Sequence, residues 1–591
     1  MKIKHLFGLA VIAAMTASCS SNEDLGTAGP GTGTNEAGVG YATFTINLPS
    51  VSGSTTSGAR GTRAADTGGA EMDKGTEDEY KVSDATALIF QKYGADEGSY
   101  KFVESVILPV TDWEADATAG ITTKSKKLVA KLTNVDTKNT YAVLVLLNNK
   151  SGSSVKIKLP NVGDSYNYWN NTVLSPDLAE LAKTNDFYMA NAPLNESGSV
   201  KTLVTIDKEN IYPTKEKAEA GTSAADVYVE RGVAKMTVVA PGTITVKDKA
   251  TTKPTKSQVT FSNWALDITN KKTFAVHNID GLSKDFPAIW TTERFTGTNN
   301  RVYWGKDPNY DKDELKLADE TNDTKRKDEF NFIDATSKID KDFTNTTKTN
   351  PVYCLENTFN LTNMYQGQTT RVIFKATYTP NDDAGNSLAD PDGTFYTIGN
   401  MTTILNTDKL KAAVEAAATS VLPSGYKVDY AKLKTEGSHV ITPEVIVHDD
   451  ATGTTHLDKD ATYGGTKTGA DIVKEINDKL GLKAGRPEEM VGINTYLEGA
   501  TYYIARVKHF GDAKTLWNSG ESYSDNNASY LGRYGMLRNN WYELTVGNVY
   551  GPGYPGVPPV DPNQPDDENE KYLSVSVKIL SWAKRSDTVD L

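Results

Sequence analysis

The sequence predicts a mostly β fold of β-sandwich type with a few short packing helices. Three observations point there. Apolar and polar residues alternate with period two in stretch after stretch, as where Ala42, Phe44, Ile46 and Leu48 interleave with Thr43, Thr45 and Asn47. Tyr, a strand-favouring residue, occurs 29 times, and 47 Gly with 23 Pro supply turns between short strands. Helical periodicity is confined to brief segments.

Taken in order, Lys2 and Lys4 precede an apolar run from Leu6 to Met15 that is too short to span a bilayer. Small residues 16–18 close it, so residues 1–18 read as an export signal. Cys19 follows directly. This resembles a bacterial lipobox, with Thr16 where that motif usually has Leu, and implies a lipid on Cys19 that tethers the precursor to the outer membrane. The alternative is an ordinary secretory signal with an incidental Cys. Residues 20–40 have the composition of a flexible tether. The alternation at 42–48 is a strand that ends at Pro49. A second slack run, from 50 to about 80, carries Arg60 and Arg63, both of which a trypsin-like protease would cut.

Strands are expected at "ATALIFQKY", "KFVESVILPV", "KKLVAKL" and "YAVLVLLNN", and a short helix at "LSPDLAELAKT" capped by Ser175. "DVYVERGVAKMTVVA" reads as one strong strand, with a domain boundary at about 225. A hairpin is expected in "VTFSNWALDITNKKTFAVHN", turning at "NKK". "DPNYDKDELKLADETNDTKRKDEF" reads as solvated loop. Two packing helices follow. One is "DKLKAAVEAAATSV", capped by Thr407, and the other is "ADIVKEINDKLG", with Ile472, Ile476 and Leu480 on one face and a stop at Gly481. Residues 551–570, rich in Pro and acids, are expected to be extended and poorly packed. Beyond them Leu573, Val575, Val577 and Ile579 alternate with Ser574, Ser576 and Lys578, a strand on a leash.

Several function classes fall away. A net charge of -13 argues against nucleic acid as a partner. With Cys19 committed to lipid, Cys354 leaves no disulfide and no thiolate zinc site. No phosphate loop, GxSxG elbow or HExxH occurs. His448 and His456 lack ligand spacing, and the loop from Asp307 lacks the Gly and Glu of a calcium loop. No enzyme, metal or cofactor is expected.

Several stretches together resemble the fimbrillins of Bacteroidetes, especially the shaft subunit of the short, or minor, fimbriae. They are "VYVERGVAKMTVV", "WALDITNKKTFAVHN", "VYCLENTF", "TYYIARVKHFGD", "YGMLRNNWYELTVGNVYGPGYPGVP" and the final "SVSVKILSWAKRSDTVDL". The resemblance implies two transthyretin-like β-sandwich domains, here at 64–225 and 226–550, with 551–591 as spacer and donor strand. It also implies that a trypsin-like, Arg-specific protease removes the propeptide 19–63, lipid and first strand included, by cutting after Arg63 or Arg60. Arg63 is preferred because Ala64 follows it. Loss of the strand at 42–48 would open a groove that the tail of another copy fills, building a fibre for adhesion and biofilm formation with tip and anchor subunits as further partners. The competing readings are a tip or anchor subunit and a non-polymerising surface lipoprotein that binds glycans on Trp platforms, with Trp264, Trp290, Trp304, Trp517 and Trp541 as candidates.

Overall fold

The computed structural model describes residues 33–48, 75–110, 125–196, 199–239, 241–290, 295, 302–316, 320–334, 339–343, 351–399, 401–450, 455–483, 491–510, 515, 517 and 528–566, and the backbone of 573–581. The expected signal, Cys19, Arg60 and Arg63 lie outside these residues. Strand outweighs helix, 37% against 19%, so the chain is mostly β.

Among the described residues the first sheet has nine strands. They include β1 (Gly40–Asn47), β2 (Ala85–Gln91), β3 (Lys101–Leu108), β4 (Ser125–Leu132), β5 (Tyr141–Leu147), β6 (Met189–Asn191) and β7 (Ala225–Arg231), besides short strands at Val204–Ile206 and Ile211–Tyr212. Every residue of β5 is buried, which is why its sequence is a continuous apolar run. Glu104 on β3 accepts hydrogen bonds from the backbone of Thr133 and Asn134 just past β4. The strand series therefore curls until its two ends meet around the first core.

That core draws on Ala42 to Val233 together with Ala275, Val276 and Leu355, and the second begins at Ala234. β7, which starts at the expected boundary near 225, hydrogen-bonds into the first sheet. "DVYVERGVAKMTVVA" is thus two strands in two sheets, β7 and β8 (Ala234–Val239). The break at Gly232–Val233 passes Tyr188 so closely that a Cβ on Gly232 would sit 2.7 Å from its ring. Alternation alone does not reveal such a break, because both halves are strands.

Around the second core lie β9 (Pro254–Asp267), β10 (Val352–Cys354), β11 (Arg371–Thr379), β12 (Ala500–Arg506), β13 (Asn540–Val549) and β14 (Leu573–Ser581). One sheet has the order β10-β8-β13-β14, and another includes β9-β11-β12. The expected hairpin at "NKK" does not form. β9 pairs with β11, and Thr269–Asn270 pairs with Phe330–Asn331.

Two short helices, α1 (Tyr166–Asn170) and α2 (Leu178–Leu181), lie in the first part, and α2 is capped by Asp177 rather than Ser175. α3 (Lys215–Ala220) precedes β7, and α4 (Glu320–Glu329) forms within the stretch read as loop. α5 (Thr407–Ala418) and α6 (Gly469–Leu480) bring Leu410, Val414, Ile472 and Ile476 into a third core. Asn406, not Thr407, caps α5. Thr468 and Asp471 form a capping box on α6, and Gly481 ends it at φ +69°.

Candidate functional site

β1 sits in a slot. On one side it is antiparallel to β4 over all eight residues, from Gly40↔Leu132 to Asn47↔Ser125. On the other it meets Ile211–Tyr212 and then runs parallel to β7, with Phe44↔Ala225 and Ile46↔Val227. Ala42, Phe44, Ile46 and Leu48 are all 0% exposed. The opposite face, read from the sequence as the polar side, is also partly covered. Thr43 is buried beneath α3, and its hydroxyl approaches the Ala218 carbonyl at 3.4 Å. Thr45 meets Ser223 at 2.6 Å between their hydroxyl oxygens. Burying Phe44, Ile46 and Leu48 is worth roughly 1.5–3 kcal/mol each. An empty slot would expose these walls and leave ladder groups of β4 and β7 unpaired at once.

At the other end of the chain, β14 is the edge strand of its sheet, antiparallel to β13. Its register sets Val575, Val577 and Ile579 opposite Val546, Leu544 and Tyr542, whose side chains belong to the second core. A register shift between Val546 and Val549 brings Leu573 opposite Val549.

The spacer before β14 is docked, contrary to the expectation of a poorly packed leash. Tyr503 donates to the Gly551 carbonyl at 2.8 Å and Tyr496 to that of Gly553 at 3.0 Å. Tyr502 and Tyr554 exchange backbone hydrogen bonds. The Arg371 guanidinium reaches the Pro558 carbonyl at 2.6 Å while its Nε holds Asp267 at 2.8 Å. The Gln366 backbone N–H donates to the Gln564 backbone carbonyl at 2.9 Å, and buried Asp566 accepts from Thr369 with Arg506 3.8 Å away. Carbonyls that Pro and Gly leave free of a regular ladder are taken by buried Tyr and Arg side chains. The docking partners stand 48 to 199 residues away in the chain, so no local pattern announces them.

Among the described residues no three metal-ligating side chains cluster, and no helix is long and apolar enough to cross a membrane. The acidic loop from Asp307 is not solvated at its start. Asp307, Asn309 and Tyr310 are buried, and the Asp307 carboxylate accepts from Thr358, Asn309 and Asn270. Burial outweighs those bonds and pushes its pKa up to about 7. Of the five platform Trp candidates, Trp264, Trp290, Trp304 and Trp541 are core residues, and Trp517 packs partly buried against a fourth core.

The segment 494–588, which contains β12, β13, the docked spacer and β14, matches the family described as major fimbrial subunit protein type IV, fimbrillin, C-terminal. In its C-terminal region the chain thus has the fimbrillin pattern. No curated protein matches the chain in sequence. Among solved structures it is similar to a candidate cell adhesion protein from Parabacteroides distasonis, at 11% identity and a TM-score of 0.36 over 92% of this chain and 98% of that one. A second candidate cell adhesion protein, from Bacteroides eggerthii, is 10% identical with a TM-score of 0.32 over 93% and 97%. A fimbrial assembly protein from P. distasonis is 12% identical with a TM-score of 0.24 over 57% and 81%.

Proposed function

We propose that this chain is the shaft fimbrillin of a short fimbria and polymerises by strand exchange between copies. The observation that carries the reading is the slot of β1. An N-terminal strand with four fully buried side chains lies between two strands, and the 49–74 segment that follows contains Arg60 and Arg63. The precursor is held at the outer membrane by lipid on Cys19. A trypsin-like protease cuts after Arg63, or after Arg60, and β1 leaves with the propeptide. The tail strand of another copy, with Leu573, Val575, Val577 and Ile579 in alternation, enters the vacated slot.

In the free subunit the same tail is seated on β13. It covers that sheet edge until exchange and leaves the edge open afterwards. The pivot is short, because the spacer is docked through Asp566. Residues 567–572 reach roughly 20 Å when extended. A tip subunit has no need of such a tail, and an anchor has no need of the Arg pair, so the two features together favour the shaft. Burial of Trp264, Trp290, Trp304 and Trp541 takes away most of the platform on which the glycan-binding lipoprotein reading rested.

The test is brief trypsin treatment of the purified precursor without its signal, with mass and oligomer size followed together. Loss of the N-terminal piece at Arg63 or Arg60, followed by SDS-resistant ladders that vanish when 571–591 are deleted, is the expected result. A cut protein that stays monomeric with its tail intact refutes the shaft reading.

A further inference from the structure

A cleft opens where the first core meets the segment after β9, with a volume of about 120 Å³, room for several waters or one sugar ring. On its lining are Tyr166 from α1, Thr202 and His277, all buried. The Tyr166 hydroxyl, Thr202 Oγ1 and His277 Nε2 have no hydrogen-bond partner in the protein. The two hydroxyls are close enough to interact, short of a fully formed hydrogen bond, and each keeps donor and acceptor capacity to spare. Buried polar groups are nearly always satisfied, so three open ones on one cleft call for a partner from outside.

Neighbouring groups fix these three in place. The Glu97 carboxylate holds the backbone N–H of Thr202 at 3.0 Å and that of Leu203 at 3.1 Å. His277 Nδ1 lies 2.8 Å from Glu230, and Gly305 backs the ring so closely that a Cβ there would come within 2.3 Å. The exposed rim carries Asp96, Asp280 and Ser283, and Asn167 donates to Asp280 at 3.1 Å.

The charges narrow the ligand. Two rim carboxylates repel an anion. At the floor both oxygens of the Glu97 carboxylate are taken by the Thr202 and Leu203 N–H groups. Against the effect of burial, Glu230 and Glu356 raise the His277 pKa, so the floor holds no open anionic oxygen for a cation. A neutral molecule rich in hydroxyls meets neither penalty and can both give and accept hydrogen bonds at every open group. We propose that this cleft binds a neutral polyhydroxylated ligand of one sugar ring, with Tyr166, Thr202 and His277 bonding its hydroxyls from the floor and Asp96 and Asp280 from the rim.

The full chain is to be titrated calorimetrically with glucose, galactose, mannose, fucose and N-acetylglucosamine, with N-acetylneuraminic acid and spermidine as charged controls. Saturable binding of at least one neutral sugar is expected, with none of either control. The Tyr166→Phe/Thr202→Val double variant weakens that binding about tenfold or more. Because it removes two unpaired buried hydroxyls, its melting temperature holds or rises. Asp280→Asn, at an exposed position, weakens binding several-fold without touching the core. No saturable binding of any neutral sugar at millimolar concentration overturns the proposal, as does binding that both variants leave unchanged or preference for a charged control. The readout is on the uncut monomer, so it stands or falls apart from strand exchange.

Discussion

Glu79 lies at the end of the slack N-terminal run and ties it to both cores. Lys235 on β8 donates to its carboxylate at 2.6 Å, as does the Tyr353 hydroxyl at 2.6 Å, and Arg231 Nε reaches the Glu79 carbonyl at 2.8 Å. Lys235 also stands 4.0 Å over the Trp541 ring. Burial alone would raise the Glu79 pKa, but Lys235 and Arg231 outweigh it and hold it below the ordinary value. Its folded pKa is therefore depressed, and the stability it contributes is lost as pH falls through the carboxylate range. Lys235→Met strands the carboxylate and is expected to cost about 3–5 kcal/mol in urea unfolding, with part regained in Glu79→Gln/Lys235→Met. Asp307 has the opposite sign. Its folded pKa, about 7, lies above the unfolded value, so the unfolded chain releases its proton first and stability falls as pH rises from about 4 to 7. One such proton steepens the fall by at most about 1.4 kcal/mol per pH unit, and Asp307→Asn should flatten that slope in a melting series. Neither residue was legible in the sequence. Glu79 and Lys235 are 156 positions apart, and "DPNYDKDE" has the composition of a surface loop while its first residue is buried beneath Asn270 and Thr358.

Elements were readable where a single face is buried and the period is regular. β1 and α6 follow from alternation and from the spacing of Ile472 and Ile476 with a Gly stop. Elements whose burial depends on distant partners were not readable. α3 covers Thr43 with Ala218 although "KEKAEA" looks fully solvent-facing, and the spacer is held by residues on β11 and β12 and their flanks. Phe44→Ala in the precursor should lower its stability by about 3–5 kcal/mol and speed release of the cut N-terminal piece, as read by gel filtration after trypsin. Gly553 adopts φ +68°, and a Cβ there would meet the Tyr502 carbonyl at 2.5 Å. Gly553→Ala should therefore loosen the docked spacer, seen as faster amide exchange across 551–566 than in the parent, with β1 unaffected.

At the scale of the whole molecule, the two ends of the chain are arranged alike. β1 has an antiparallel neighbour in β4 and a parallel one in β7, and β13, which carries the tail, is itself parallel to β8. The mostly β class and the strand at each terminus followed from patterning. That the tail starts on its own β13 edge did not, because alternation specifies a face and not a partner. Strand exchange makes a direct geometric demand. Lys127 on β4 stands opposite Thr45 of β1, so a tail in that slot must run past it. The decisive measurement pairs Lys127→Cys in turn with Ser574→Cys, Ser576→Cys and Lys578→Cys, cuts the precursor with trypsin and oxidises it. The account predicts disulfide-linked ladders between subunits in at least one pairing, only after the cut. Ladders absent from all three pairings, with the N-terminal piece released, would contradict it.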